Sequence, residues 1–305
     1  MDCCAHIFAS KLHKMIYLNL SPALRFEPAL SYESFIFNGG EPHIRIEPTT
    51  IPVDTPVCIT VQARTCNDFI LAILAKDALR RMGFQLIELY IPYMPAARQD
   101  RVMTSGEALS IKVYISIINA AGFSRVTVFD PHSEVTPALL DQCNCVCNHQ
   151  FIQEVIDTIP DPVQLTLIAP DAGSAKKIHH LAAALHWERV VQCDKIRDVR
   201  TGRLSGAQVF SDDLRGADCL IVDDICDGGG TFLQLAKTLR AKNAGRIYLA
   251  ISHGIFSNGT DALTNEFDGV FTTNSFYDGT SGPKLKVLEL PAPQILTSSN
   301  LQILQ

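Results

Sequence analysis

The sequence predicts an α/β fold made of two mostly parallel sheets, each flanked by helices. Three observations predict it. Short apolar runs alternate with longer amphipathic stretches along the chain, the pattern of parallel strands joined by crossover helices. The alternation restarts after Ile159-Pro160-Asp161-Pro162, a turn-rich break. A short string also recurs: Leu74-Ala-Lys-Asp-Ala-Leu-Arg80 and Leu235-Ala-Lys-Thr-Leu-Arg240 each follow a strand and polar loop and precede a glycine and another strand. These are ordinary helix formers, so the repeat supports the plan without proving it.

Residues 15–20 open the first strand. Residues 57–62 read as a strand, 67–82 as a helix, 85–91 as a strand, 107–121 as a helix and 125–130 as a strand. In the second half 165–169, 188–193, 218–223 and 246–252 read as strands, with helices at 173–185 and 229–243. The expected domains are 15–160 and 161–305. Residues 1–14 form an extension, and the tail after Pro291 packs back, in part on the first domain.

The 305 residues are 47% hydrophobic and 19% charged, which supplies apolar cores and argues against disorder. Net charge is −6 and no Lys/Arg run occurs, so no nucleic-acid partner is expected. No apolar stretch reaches the roughly 18 residues of a membrane span. Residues 1–14 lack a basic segment before their apolar patch, so no signal peptide is expected. The ten cysteines are spread through the chain, which suggests reduced thiols and a cytoplasmic location. The string Cys143-x-Cys145-x-Cys147-x-His149 permits a soft-metal site. Spacing of two would place all four side chains on one face of an extended strand, splayed apart, which favours a strand of small buried side chains.

The run Leu220-Ile-Val-Asp-Asp-Ile-Cys-Asp-Gly-Gly-Gly-Thr231 carries the most chemistry. It leads an apolar strand into a helix. Successive glycines at a helix N-terminus offer unpaired N–H groups at the positive end of the dipole, a cradle for phosphate. The Thr231 hydroxyl adds a donor. Asp223 and Asp224 would repel a phosphate, so they are assigned to sugar hydroxyls. Acids beside a phosphate nest point to a ribose phosphate, held by Asp223, Asp224, Asp227, Gly228, Gly229, Gly230 and Thr231. No Gly-Lys-Ser/Thr follows, so it is not a Walker loop.

This run resembles the phosphoribosyl-diphosphate loop of type I phosphoribosyltransferases and of ribose-phosphate pyrophosphokinases. Ile91-Pro-Tyr-Met-Pro-Ala-Ala-Arg-Gln-Asp-Arg101 resembles the pyrophosphokinase motif at the ATP site, which transferases lack. Arg98 and Arg101 are permanently charged planar donors for phosphates, and Gln99 can read a base or hydroxyl; Asp100 lies between them. Asp130-Pro131-His132 resembles the family segment whose histidine helps bind magnesium on the ATP phosphates. Pro170-Asp171-Ala-Gly173 resembles the segment whose aspartate meets the ribose and a second magnesium, though Asp171 also reads as a helix cap. Lys195-x-Arg197 resembles the pair that stabilises the transition state from a mobile loop, here 196–205. Phe37-Asn-Gly-Gly-Glu41 resembles the segment that holds adenine from a neighbouring subunit, with Gly39 where Asp is usual. Asn67-Asp68, Ser252-His253-Gly254 and Thr273-Asn274-Ser275 resemble further family positions. The resemblance spans residues 16–290.

It implies two tandem type I phosphoribosyltransferase-like domains. It implies diphosphoryl transfer from ATP to the C1 hydroxyl of ribose 5-phosphate, giving 5-phosphoribosyl 1-diphosphate and AMP for nucleotide and NAD synthesis. ATP would be bound by Phe37, Glu41, Arg98, Gln99, Asp100, Arg101 and His132. Ribose 5-phosphate would be bound by Asp171 and residues 223–231. His132 and Asp171 would serve Mg2+, and Lys195 and Arg197 would stabilise the transition state. A homo-oligomer, dimer or hexamer, is expected. The alternatives are a phosphoribosyltransferase consuming the diphosphate and a non-catalytic regulatory relative.

Overall fold

Buried runs of Val, Ile and Leu build the strands of both halves. The structure is a computed structural model and describes residues 14–162, 165–197 and 204–293. The first half runs β1 (Ile16–Asn19), β2 (Tyr32–Ile36), β3 (Pro42–Ile46), β4 (Val57–Thr60), α1 (Cys66–Arg81), β5 (Ile87–Tyr90), α2 (Ser110–Ala121), β6 (Arg125–Phe129), α3 (Val135–Leu139), β7 (Cys143–Val146) and α4 (His149–Thr158). The second runs β8 (Thr166–Ala169), α5 (Ala172–Ala184), β9 (Val190–Arg197), β10 (Leu204–Val209), β11 (Cys219–Cys226), α6 (Gly230–Ala241), β12 (Ile247–Gly254), α7 (Asp261–Glu266), β13 (Gly269–Thr273) and β14 (Leu285–Leu288).

The first sheet has the order β1-β4-β5-β6-β7 and is parallel throughout. The second has the order β10-β9-β8-β11-β12-β13-β14, parallel except for the antiparallel β9–β10 edge. Both faces of each sheet are buried, so alternate residues of a strand enter different cores. Leu18, Ile59, Leu89 and Val128 pack with α1 and α2. Their neighbours Tyr17, Cys58, Tyr90 and Phe129 point the other way, into a cluster shared with α4, α5 and Leu167, Leu220 and Tyr248 of the second sheet. The far face of the second sheet packs Ile168, Ile221 and Leu249 against Leu235 and Leu239 of α6. The middle cluster therefore belongs to both halves.

Helix ends follow local chemistry. Thr65 caps α1 through a capping box with Asp68, and Gly122 closes α2 with φ +68°. Among the described residues no helix is long and apolar enough to cross a membrane.

The structure departs from the sequence expectations in five places. The helix expected over 107–121 starts at Ser110, because 104–107 form a turn in which the Glu107 carboxylate accepts the N–H groups of Met103 and Thr104. The β2–β3 hairpin was not anticipated. The strand expected over 218–223, ending at the acid pair, runs on to Cys226, so the pair lies inside β11, where Asp223 pairs with Ile251 and Ile225 with His253. The strand expected over 188–193 extends to Arg197, and Leu204–Val209 returns beside it, so the loop expected over 196–205 is largely hairpin. Its tip, 198–203, lies outside the described residues. The cysteine string is not one extended face: Cys143 and Cys145 lie on β7, whereas His149 begins α4.

Candidate active site

The carboxyl ends of both sheets face one another, the usual place for ligands in open parallel sheets. After β5 the chain turns sharply at Ala96, φ +60°, with the Gln99 N–H donating to the Ala96 carbonyl at 2.9 Å. The turn presents Arg98, Gln99, Asp100 and Arg101 around a cavity of about 620 Å³ that also meets Glu107 and His132. Asp100 is buried and takes the Arg101 Nε–H at 3.1 Å. Burial would raise its carboxyl, but hydrogen bonds from Ser133 and Arg101 win and hold it below the usual carboxylate range.

The second half supplies the opposite wall. Gly229 adopts φ +78°, a conformation that costs glycine little, and stands at the N-terminus of α6. No side chain caps α6, which leaves the Gly230 and Thr231 N–H groups to an anion, while the Phe232 N–H donates to the Gly229 carbonyl at 3.0 Å. A Cβ at Gly228 or Gly229 would press on Asn258 or Leu263, whereas one at Gly230 would meet nothing within 4 Å. The open side of the loop is thus the Gly230 side. Asp227 is held by the Ser257 hydroxyl at 2.6 Å and by Arg98 Nη1 at 2.7 Å. Those two bonds keep its carboxyl below the ordinary range.

His132 Nδ1 lies 2.6 Å from Asp224 Oδ2, joining the two halves. The Asp224 hydrogen bond raises the imidazole above its ordinary pKa, against the effect of burial. Burial pushes Asp224 up, but the His132 bond and the Lys177 charge overcome it and hold the carboxylate well below its usual range. Asp223 moves the other way. Burial, then the charge of Asp224 beside it, drives its carboxyl well above the usual value.

A polar seam supports these groups. Asp130 sits at φ +37° after β6, an unfavourable conformation for a residue with a Cβ. It is fixed by three partners: Ser252 Oγ at 2.5 Å, Asn148 Nδ2 at 3.0 Å and Lys177 Nζ at 3.2 Å. Lys177 also donates to the Pro131 carbonyl at 2.6 Å. His253 is buried behind them, bonded to the Phe129 carbonyl at 3.0 Å and to Ser275 Oγ at 2.8 Å. Lys177, Asn148, Ser257 and Asn258 were missed in the sequence. Lys177 had one signal: it lies six residues beyond Asp171, on the helix that starts at a strand's carboxyl end.

The structure therefore brings together Arg98, His132, Asp224 and Asp227, with Asp223 alongside. Asp171 caps α5, accepting the Ser174 N–H at 2.9 Å, and its charge reaches Asp223. Phe37 and Glu41 sit apart, on the turn of the exposed β2–β3 hairpin, where Phe37 packs on Phe35 and His43. β9 runs on beyond Gln192, its last residue paired with β8 (at Ala169), so Lys195 and Arg197 lie past the end of that pairing; their side chains lie outside the described residues.

Among the described residues no three His, Cys, Asp or Glu side chains are grouped to hold a metal ion alone. Yet Asp171, Asp223 and Asp224 bring three carboxyl groups together, and burial followed by the neighbouring charge of Asp224 raises the Asp223 carboxyl. That donor set suits a hard divalent ion that brings its remaining oxygens as water and phosphate.

Two phosphoribosyltransferase-type α/β halves, meeting at their carboxyl edges around an arginine-lined cavity and a glycine-capped helix, define the class. Comparison with known proteins agrees. A family model described as the N-terminal domain of ribose phosphate pyrophosphokinase matches residues 6–122, and a phosphoribosyl transferase domain model matches 148–283. The chain belongs to the ribose-phosphate pyrophosphokinase family. It is 27% identical to the ribose-phosphate pyrophosphokinase of Mycoplasmopsis pulmonis over 262 residues, covering 85% of this chain and 81% of that one. The namesake enzyme of Bradyrhizobium diazoefficiens is 33% identical over 203 residues, 65% of this chain and 63% of the relative. The fold of this chain matches the crystal structure of phosphoribosylpyrophosphate synthetase from Mycobacterium smegmatis with a TM-score of 0.75 at 22% identity, covering 86% of this chain and 87% of that one.

Proposed function

We propose that the protein transfers the diphosphoryl group of ATP to ribose 5-phosphate, giving 5-phosphoribosyl 1-diphosphate and AMP. One observation carries the reading: His132 and Arg98, from the wall of the first-half cavity, touch Asp224 and Asp227 of the second-half loop at 2.6 and 2.7 Å. A nucleotide in the cavity and a ribose phosphate on the loop would be adjacent, the proximity that in-line transfer needs.

The residues divide the work by their chemistry. The α6 N-terminus with Gly228, Gly229, Gly230 and Thr231 takes the 5-phosphate. Asp223, Asp224 and Asp171 accept the ribose hydroxyls. Arg98 and Arg101 take ATP phosphates, with Gln99 at the nucleoside. On substrate binding Arg98 exchanges its Asp227 partner for phosphate. The C1 hydroxyl oxygen attacks the β-phosphorus and AMP departs. Asp171 and His132, beside Asp224, are the groups that would hold Mg2+. When bound, the ion neutralises charge on the transferred phosphates. Lys195 and Arg197 stabilise the charge that develops in transfer. Phe37 and Glu41, on an exposed hairpin, serve the adenine of a neighbouring copy in a homo-oligomer.

The test mixes the protein with ATP, ribose 5-phosphate and magnesium and follows AMP and the diphosphate. Stoichiometric AMP supports the reading; none at high protein concentration sinks it and favours a regulatory relative. Lys195→Ala should lower turnover by roughly a hundredfold or more with little change in ribose 5-phosphate affinity. Unchanged turnover would remove Lys195 from its assigned role.

A further inference from the structure

The cysteine string plays no part in the proposed reaction. β7 is four residues long and stands at the edge of the first sheet, with β6 as its sheet neighbour. Cys143 and Cys145 face the same way, half-buried against the first-half core. Their sulphurs lie 3.5 Å apart as free thiols. Of the other described cysteines, Cys58, Cys193, Cys219 and Cys226 are buried, and Cys66 and Cys147 are exposed.

We propose that Cys143 and Cys145 form a dithiol site that small disulfides of the glutathione class oxidise reversibly to a disulfide within the strand. Geometry permits the bond. Two residues along a strand span about 6.7 Å, and disulfides join Cα atoms up to about 6.8 Å apart. Side-chain rotation and a slight shortening of the strand close the gap. β7 can shorten because it is a short edge strand, entered through Gln142 at φ +52°.

The two thiols are not equivalent. The Cys143 hydrogen bond holds the Cys145 thiol below its ordinary pKa, and the same bond, with burial, pushes Cys143 up. Cys145 is thus the attacking thiolate. It attacks one sulphur of the oxidant and expels a small thiolate, leaving a mixed disulfide. Cys143 gives its proton to solvent and attacks the Cys145 sulphur, expelling the second small thiolate. Two protein thiols and one small disulfide become one protein disulfide and two small thiols; the oxidant gains the two electrons.

The bond has a route to the seam. Cys145 pairs with Val128 and Val146 with Phe129 across the β6–β7 ladder. The next rung is the Asp130 N–H donating to the Val146 carbonyl at 2.8 Å. Shortening β7 between Cys143 and Cys145 pulls on that rung, and Asp130 is the residue that gathers Lys177, Asn148 and Ser252.

The full chain is treated with oxidised glutathione, its remaining thiols are alkylated, and its peptides are mapped by mass spectrometry. The expected product is a peptide two hydrogens lighter that joins Cys143 to Cys145, with Cys147 alkylated. In Cys143→Ser a glutathione adduct should persist on Cys145. Alkylation of both Cys143 and Cys145, a bond to Cys147, or a lasting adduct in the wild type would each overturn the site. Hydrogen exchange provides the second readout, independent of any assigned reaction. Oxidation should speed exchange at Asp130 roughly tenfold, with recovery on reduction; unchanged exchange would overturn the route to the seam.

Discussion

The Asp171 carboxylate accepts the Ser174 N–H at 2.9 Å while its charge bears on Asp223. One residue thus caps α5 and enriches the acidic site, and two substitutions separate the roles. Asp171→Ala removes both and should cost about 1 kcal/mol of stability. Asp171→Asn keeps a good cap, so its urea midpoint should match the wild type. Its magnesium activation should weaken roughly tenfold or more, because a ligand charge is gone. If Asn restores both properties, Asp171 is a cap and nothing further. His132 offers a test by pH. Its pKa is raised by the Asp224 bond, so its contribution to stability is complete below the ordinary value of 6.5 and fades as pH climbs through the raised value. Asp224 is depressed, so its contribution exists above the ordinary carboxylate range and fades as pH falls through the depressed value. Both halves of the pair are therefore stabilising at mildly acid pH. Unfolding free energies of wild type and His132→Gln should differ most there and converge toward alkaline pH. A gap that stays constant to high pH would mean an uncharged hydrogen bond.

At the scale of elements, the α6 loop separates structural glycines from functional ones. Gly229 is left-handed and its missing Cβ would lie 3.1 Å from Leu263, so Gly229→Ala should lower stability by about 1–3 kcal/mol. Gly230 has open space where its Cβ would be. Gly230→Ala should leave the melting curve in place yet weaken ribose 5-phosphate binding by roughly tenfold or more, because the methyl intrudes on the anion cradle. Calorimetric titration of both variants decides it; intact affinity in Gly230→Ala would move the phosphate elsewhere. The same loop was legible in the sequence because parallel strands buried on both faces read as unbroken apolar runs, and glycines punctuate them. The β2–β3 hairpin was not, because β2 exposes nearly all its residues and leaves no core-facing pattern. The far part of the β9–β10 hairpin read as loop because Asp194, Lys195 and Arg197 break the apolar run of β9 beyond its pairing with β8. The seam was invisible for another reason. Arg98 and Asp227 are separated by 129 positions, and Lys177 and Asp130 by 47, and no local pattern encodes such pairings.

For the molecule as a whole, the decisive feature is the middle cluster. Phe129 of β6 and Leu167 of β8 enter the same core, although they belong to different sheets. Buried polar contacts run in parallel with it: Gln62 Nε2 donates to the Asn274 carbonyl at 2.7 Å, and Asn274 Nδ2 to the Ala23 carbonyl at 2.8 Å. Separating the halves would strand these groups and expose the Phe129 ring and the Leu167 side chain to water, so neither half is expected to outlast the other. The chain contains a single tryptophan, Trp187, which lies in the second half with its indole N–H on the Leu165 carbonyl at 2.9 Å. Its fluorescence reports on that half and on the edge of the middle cluster that Trp187 packs against. Phe129→Ala truncates a ring of the first half and should cost about 3–5 kcal/mol. If the halves unfold together, the Trp187 transition in urea moves to lower denaturant by the same amount as the helical circular dichroism. If they unfold separately, part of the dichroism is lost early while the Trp187 transition keeps the wild-type midpoint. That second outcome would mean the middle cluster is an interface between two independently stable halves, and the site it aligns could then come apart without unfolding.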